Sequence, residues 1–261
     1  MKKSIYLLAM LFFSAQFLSA QIVDVKKTWV PFDEDRYVAK YELSNGEYKV
    51  FLSALKSKKQ TKLVAKYQPD STQWAKNVES FYEPFSKLYH WHPAYKNYPA
   101  VNISKKGMEA YCAWLSEQYN KDPKKAFTQV QFRLPTEEEW LKFSDALPGH
   151  RLPWYGNFPY KMDKKDEITY LANIKIKDYT KGSFNYVADG GLTSLKMGQY
   201  APNRLGIYDI IGNVAEYTSD DKIKGGSWDN SLAECFIDQT QNYTLPDPRV
   251  GVRLVMEVLE E

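Results

Sequence analysis

Apolar and polar positions alternate through residues 37–43 (YVAKYEL), the period-two signature of a strand. The pattern then changes. Ser44 and Glu47 have the spacing of a capping box, and Tyr48, Phe51, Leu52 and Leu55 follow at helical intervals. The spacing predicts a helix that buries those four residues. Residues 56–66 are Lys-rich and predict a solvated connection. Residues 67–103 carry many rings together with Pro69, Pro84, Pro93 and Pro99, which predicts a long ordered loop region. Ser104 caps a second predicted helix running to about Tyr119, with Met108, Tyr111, Cys112 and Leu115 on its buried face. Thr136 and Glu139 form another capping box, and the helix they start buries Trp140 and Phe143. From Leu147 to about Ser219 the chain is again rich in Gly, Asn, Asp and Pro, and residues 250–258 read as a closing strand. The sum is an α+β domain with two or three helices and much loop. So much irregular chain counts against a compact domain unless something else orders it, and a bound metal is one such source.

The first twenty residues stand apart from this pattern. Lys2 and Lys3 precede an apolar run from Ser4 to Leu18, and Ser19-Ala20 ends it with small residues. That is the layout of a signal peptide cut before Gln21. The run is shorter than the roughly 20 apolar residues a membrane span needs. The expectation is an exported protein of one domain, residues 21–261, with no transmembrane segment after cleavage.

Composition adds little beyond this: 44% hydrophobic and 26% charged residues are ordinary for a globular chain. The 20 Tyr and 7 Trp suit a loop-rich fold, because such rings both pack and hydrogen-bond. Loss of Lys2 and Lys3 leaves 33 basic residues against 32 acidic ones, a total that points to neither nucleic acid nor an anionic membrane.

The chain has two cysteines, Cys112 and Cys235. An oxidising compartment permits one disulfide between them, and two buried free thiols are equally compatible with the sequence. His90 and His92 flank Trp91 at a spacing that places both on one strand face, but no third ligand is near, and packed or surface histidines are the simpler reading. His150 stands alone. Neither a Ser-His-Asp arrangement nor a phosphate loop can be assembled.

Five segments in fixed order carry a resemblance: YELSNGEYKVFL (41–52), YPAVNISKKGMEAYCAW (98–114), FRLPTEEEW (132–140), PNRLGIYDIIGNVAEYT (202–218) and KGGSW (224–228), closed by Gly251-Val252-Arg253. Across residues 38–256 the chain resembles the formylglycine-generating enzyme, or sulfatase-modifying factor, family. That resemblance implies a loop-rich, C-type-lectin-related fold ordered by calcium. A finer resemblance rests on Pro69–Trp74 (PDSTQW), Tyr82-Glu83-Pro84 and His92–Tyr95 (HPAY). These look like the family members of Bacteroidota gliding-motility and type IX secretion machinery, of the GldK and GldJ kind.

Catalytic members of that family hold one copper(I) ion between two thiolates and convert a substrate cysteine to formylglycine. Soft thiolates select copper(I), so both sulfurs are a chemical requirement. Here Gly225-Gly226-Ser227-Trp228 is intact and Cys235 matches the second thiol, but Asn230 stands where the first is expected. An amide oxygen is hard and neutral and does not hold copper(I). Cys235, Asn230, Ser227 and Trp228 therefore read as a vestigial site. The family's pairing partner for the helix cysteine falls on Leu254, which leaves Cys112 a structural role.

The calcium positions are kept. The resemblance places one site on Asp209, Glu216 and the carbonyls of Gly212 and Val214. It places a second on Asn173, Asp189 and the carbonyls of Ile174 and Gly191. Mixed carboxylate and carbonyl oxygens are what Ca²⁺ takes, although Asp and Asn also favour ordinary turns. The expectation is a non-catalytic, calcium-stabilised scaffold or binding module of the bacterial cell envelope. Its expected partners are outer-membrane or secretion proteins, in the periplasm, on the periplasmic face of the outer membrane or at the cell surface. The alternative is a copper-dependent oxidase acting on sulfatase cysteines.

Overall fold

The elements run α1 (Val25–Thr28), β1 (Trp29–Pro31), β2 (Arg36–Ala39), α2 (Asn45–Ser57), α3 (Thr61–Tyr67), α4 (Gln73–Asn77), α5 (Glu83–Leu88), a 3-10 turn (Pro93–Tyr95), α6 (Lys105–Lys121), β3 (Gln129–Arg133) and α7 (Glu137–Ser144). Eight short strands follow: β4 (Tyr160–Met162), β5 (Ile168–Tyr170), β6 (Ile176–Asp178), β7 (Ser183–Asn185), β8 (Ala215–Tyr217), β9 (Ile223–Lys224), β10 (Val250–Gly251) and β11 (Val255–Glu260). The computed structural model describes residues 23–77, 83–145, 149–154, 156–178, 183–185 and 187–261, so the signal-peptide reading of residues 1–20 lies outside the described residues.

Both capping boxes form. Ser44 accepts from the Glu47 amide and Thr136 from the Glu139 amide, each Glu reaching back to its cap residue. The predicted faces of α2, α6 and α7 are the buried ones, except that Leu115 is only half-buried. Three expectations differ. The strand at 37–43 ends at Ala39, where the chain bends so that Leu43 N can donate to Val252 O. The Lys-rich connection is helical from Thr61, because Leu63, Val64 and Tyr67 find a partly buried place against the core while the lysines stay in water. Seven helices are present among the described residues rather than two or three, since the proline-rich stretch is broken into single turns. The closing strand is also split, into β10 and β11.

The main sheet has the order β1-β2-β11-β3 with every pair antiparallel. Val255 of β11 sits opposite Val38 on one side and Arg133 on the other. A second sheet, β10-β8-β9, lies beside the candidate site. One core cluster packs α2 and α6 on the main sheet, with Trp29 and Phe132 rings 5.1 Å apart. A second joins Trp140 and Phe143 of α7 to Ile207, Ile210, Ile211 and Cys235. A third gathers Trp74, Tyr89, Val101, Val214 and Trp228. Fully burying an indole removes about 200 Å² from water, worth about 5 kcal/mol. Trp74 and Trp140 reach that limit and fasten loop regions that have little regular structure.

Candidate functional site

The GGS turn is built under tight steric limits. Gly226 has φ 67° and sits directly over Cys235: a Cβ there would lie 2.4 Å from the Cys235 Sγ. Only glycine meets both the left-handed backbone and the close approach. Beyond this turn, Asn230 Oδ1 accepts from Ser227 N at 2.9 Å, Ser227 Oγ at 2.9 Å and Tyr243 Oη at 2.7 Å. Its backbone carbonyl accepts from Lys175 N at 2.9 Å. Asn230 is thus the knot of its loop, holding the segment to Tyr243 and to the chain before β6.

Cys235 is fully buried among apolar side chains of the second cluster. Burial, with a smaller contribution from Glu234, pushes its pKa far above the ordinary thiol range. Cys112 is buried in the first cluster, where burial pushes its thiol up to about 12. Both cysteines are unpaired. Burial favours the protonated thiol over the thiolate at both positions. Trp228 points into the third cluster, and its amide donates to Asn213 O.

The eight residues expected to hold calcium lie on three chain segments, 173–174, 189–191 and 209–216, the first touching both others. Asn213 N donates to Asn173 O at 2.8 Å, and a Cβ on Gly212 would fall 2.3 Å from that same oxygen. Ile174 N donates to Asp189 Oδ2 at 2.6 Å and Gly191 N to Asp189 Oδ1 at 3.3 Å. Asn173 Nδ2 donates to Thr193 O, while its Oδ1 is buried with no hydrogen-bond partner. Asp209 adopts φ 55° and accepts from Gly198 N at 2.6 Å. Both Glu216 oxygens are hydrogen-bonded: Oε1 accepts from Arg253 Nε and Nη2, and Oε2 from Trp140 Nε1, which leaves Oε2 capacity for one more partner. Burial raises Asp189 and Asp209 to about 6 each.

Sequence reasoning missed Glu42. It is buried beside this site, its Oε1 accepts from Asn213 Nδ2, and its Oε2 has no hydrogen bond and lies 4.0 Å from Arg253 Nη2. Burial, then the neighbouring Asp209 carboxylate, pushes its pKa well up. Three buried carboxylates, Glu42, Asp209 and Glu216, thus crowd around the buried Arg253, while the buried Lys224, opposite Glu216 on β9, pairs with Glu137. The available signal was a charged residue between two buried-type neighbours, Tyr41 and Leu43, just before a cap. No three His, Cys, Asp or Glu side chains converge as a metal cluster among the described residues. The expected calcium sets draw part of their shell from backbone carbonyls, and the unpartnered Asn173 Oδ1 and Glu42 Oε2 are oxygens of the hard type Ca²⁺ accepts.

The two histidines have separate jobs. His90 is buried, its Nε2 lies 3.3 Å from Asn102 Nδ2, and burial lowers its pKa to about 3, so the ring is neutral. His92 is exposed and its Nδ1 accepts from Ala94 N, capping the 3-10 turn. His150 is exposed. A cleft of about 500 Å³ opens beside Tyr243, lined in part by Lys105, Tyr217, Asp221 and Asn242. Lys105 Nζ pairs with Asp221 at 2.5 Å and lies 5.8 Å from the Tyr217 ring centre. Hydroxyls, an amide and an ion pair share its lining with apolar Ile223 and Leu245, next to the Asn230 knot.

The model of the sulfatase-modifying factor enzyme 1-like domain matches residues 25–258. The formylglycine-generating enzyme of Mus musculus is 32% identical over 128 residues, 48% of this chain and 27% of its own length. The inactive C-alpha-formylglycine-generating enzyme 2 of Bos taurus is 28% identical over 142 residues, 50% of this chain and 38% of its own. The chain thus spans well under half the length of these curated relatives. Among solved structures, PvdO from Pseudomonas aeruginosa superposes with TM-score 0.58 at 19% identity, covering 87% of this chain and 82% of that one. CarF gives TM-score 0.52 at 17% identity over 85% and 86% of the two chains. These two likenesses are of fold.

Proposed function

From the premise that this chain belongs to the sulfatase-modifying factor (formylglycine-generating enzyme-like) domain family, we propose that it is a non-catalytic member: a calcium-stabilised binding module of the bacterial cell envelope. The observation that carries this reading is the pair Asn230 and Cys235. Asn230 spends its side-chain carbonyl on three hydrogen bonds that hold its loop, and Cys235 is a buried, protonated thiol beneath Gly226. Copper(I) needs soft, deprotonated sulfur. The residues present do not suit it, and no step is assigned through copper. An inactive relative in the same family shows that this fold is not tied to catalysis.

Calcium is assigned to Asn173, Asp189 and the Ile174 and Gly191 carbonyls, and to Asp209, Glu216 and the Gly212 and Val214 carbonyls. The buried, unpartnered Asn173 Oδ1 and the excess of carboxylate over Arg253 support that assignment. The partners proposed are outer-membrane or secretion proteins, and the PDSTQW and HPAY segments favour an assembly of the gliding or type IX secretion kind. The signal-like start favours a place in the periplasm or at the outer membrane.

The test is direct. Purified protein supplied with copper(I) and a peptide carrying a sulfatase-type cysteine motif is expected to yield no aldehyde by mass spectrometry. Aldehyde formed at a rate abolished by Cys235→Ser overturns the reading in favour of the oxidase. Pull-down from native envelopes is expected to recover outer-membrane components, equally well with wild type and Cys235→Ser.

A further inference from the structure

The near-neutral total conceals a segregated charge. Residues 48–69 contain Lys49, Lys56, Lys58, Lys59, Lys62 and Lys66 and no Asp or Glu, and with these six and Lys2 and Lys3 set aside, 27 basic residues remain against 32 acidic ones. All six lysines are exposed, and none has a carboxylate within ion-pair distance among the described residues. They form one face. Lys49, Ser53 and Lys56 stand at i, i+4 and i+7 and so line a single stripe of α2. Lys58 and Lys59 continue it at the helix end. Lys62 and Lys66, four apart on α3, project to solvent while Leu63 and Val64 pack inward. Three carboxylates of neighbouring segments are engaged elsewhere: Glu47 closes the capping box, Glu83 pairs with Lys87, and Glu117 pairs with Lys121 while also being stabilised by Lys58.

Exposed apolar side chains border the lysines. Lys49 Nζ donates to the Trp91 carbonyl at 3.2 Å, which ties the turn after α5 to the outer face of α2. In that turn Trp91 and Leu88 are 39% and 43% exposed, and Val50, next to Lys49, is 43% exposed. Trp91 N donates to Leu88 O, so the two belong to one turn.

We propose that this face, the outer stripe of α2, α3 and the Leu88–Trp91 turn, is a docking surface for a membrane that displays anionic phospholipid headgroups. Three features favour lipid over an acidic protein. An exposed indole with aliphatic neighbours beside ammonium groups is the arrangement that anchors proteins at a bilayer interface. All six cations are Lys, which protein–protein interfaces avoid in favour of Arg. The acidic excess elsewhere repels an anionic surface, so attraction through one face also fixes orientation.

The test uses the chain without its apolar residues 1–20, which would themselves partition into lipid; the described core begins beyond them. Vesicles of phosphatidylcholine alone and of phosphatidylcholine with phosphatidylglycerol are compared by co-flotation at low and high salt. Binding is expected only to the anionic vesicles, and it falls as salt screens the headgroups. Lys58→Glu with Lys59→Glu is expected to lower the partition coefficient by on the order of tenfold or more, since each lysine near such a surface contributes about fivefold. Trp91→Ala is expected to lower it several-fold without changing the salt dependence. Lys161→Glu with Lys165→Glu, on the β4–β5 hairpin, is expected to leave binding unchanged. Melting curves of all these exposed-site variants should match the parent. Equal partition onto neutral vesicles, or no loss in the Lys58/Lys59 variant, overturns the proposal. Binding to a glutamate-rich peptide with none to anionic vesicles overturns it in favour of a protein-docking face.

Discussion

Asn230 shows how one residue converts a reactive position into a structural one. A thiolate there would present a soft, charged sulfur, whereas the amide accepts from Ser227 N, Ser227 Oγ and Tyr243 Oη and binds the loop shut. Asn230→Ala removes the common acceptor and leaves a buried amide N–H at Ser227 without a partner, at a cost of about 2–3 kcal/mol. For a chain of this size that lowers the melting temperature by roughly 4–10 °C. Asn230→Cys is expected to destabilise to a similar degree and, because Cys235 stays sealed beneath Gly226, to bind no stoichiometric copper(I) in a chelator-competition titration. One tightly bound copper ion in that variant would show that the thiol pocket had kept its catalytic shape.

At the scale of elements, α7 is held to the main sheet by charge as well as by Trp140. Glu139 accepts from Arg133 through both of its oxygens, and from Arg36 Nη1 and Thr136 N. Burial alone would raise this carboxyl; the hydrogen bonds from Arg133, Thr136 and Arg36 outweigh it and hold the pKa at about 2. Its folded value therefore lies below its unfolded one. The stabilisation is complete above about pH 4.5 and disappears as pH falls from there toward 2. Arg133→Ala is expected to cost about 1–3 kcal/mol at pH 7, and the gap from wild type should narrow in urea unfolding as pH drops through that window. A gap that stays constant with pH would place the role of Arg133 in packing instead. The helices α2, α6 and α7 were legible because caps and apolar spacing are local signals; their buried faces follow from residue type alone. Helix α3 was not, since its stability comes from Leu63, Val64 and Tyr67 docking on a core that the local sequence does not describe. The carboxylate Glu42 was hidden for the same reason: its environment is made by Asp209, Asn213 and Arg253, more than 160 residues away in the chain.

Across the whole molecule, the loops between α7 and β10 must be ordered by something other than long elements. Part of that order is apolar, through Ile210, Ile211 and Cys235. Part is the meeting of the 173–174 and 209–216 loops, where Glu42, Asp209 and Glu216 crowd around Arg253 and the Asn173 Oδ1 has no partner. Without a cation, that arrangement carries like-charge repulsion and unpaid desolvation; a hard divalent ion relieves both. Calcium at a hundred times its dissociation constant is then expected to add about 2.7 kcal/mol to unfolding, and chelation should lower the melting temperature by several degrees. Asn173→Ala and Asp209→Asn should each remove much of the response. Glu42→Gln separates the two effects. A glutamine oxygen can still accept from Asn213 Nδ2, but one negative charge is gone, so the metal-free protein should melt at or above wild type while the gain from calcium shrinks. A melting curve indifferent to chelator in metal-stripped protein would mean that these loops are ordinary turns, and Glu42→Gln would then stabilise the protein equally with and without calcium.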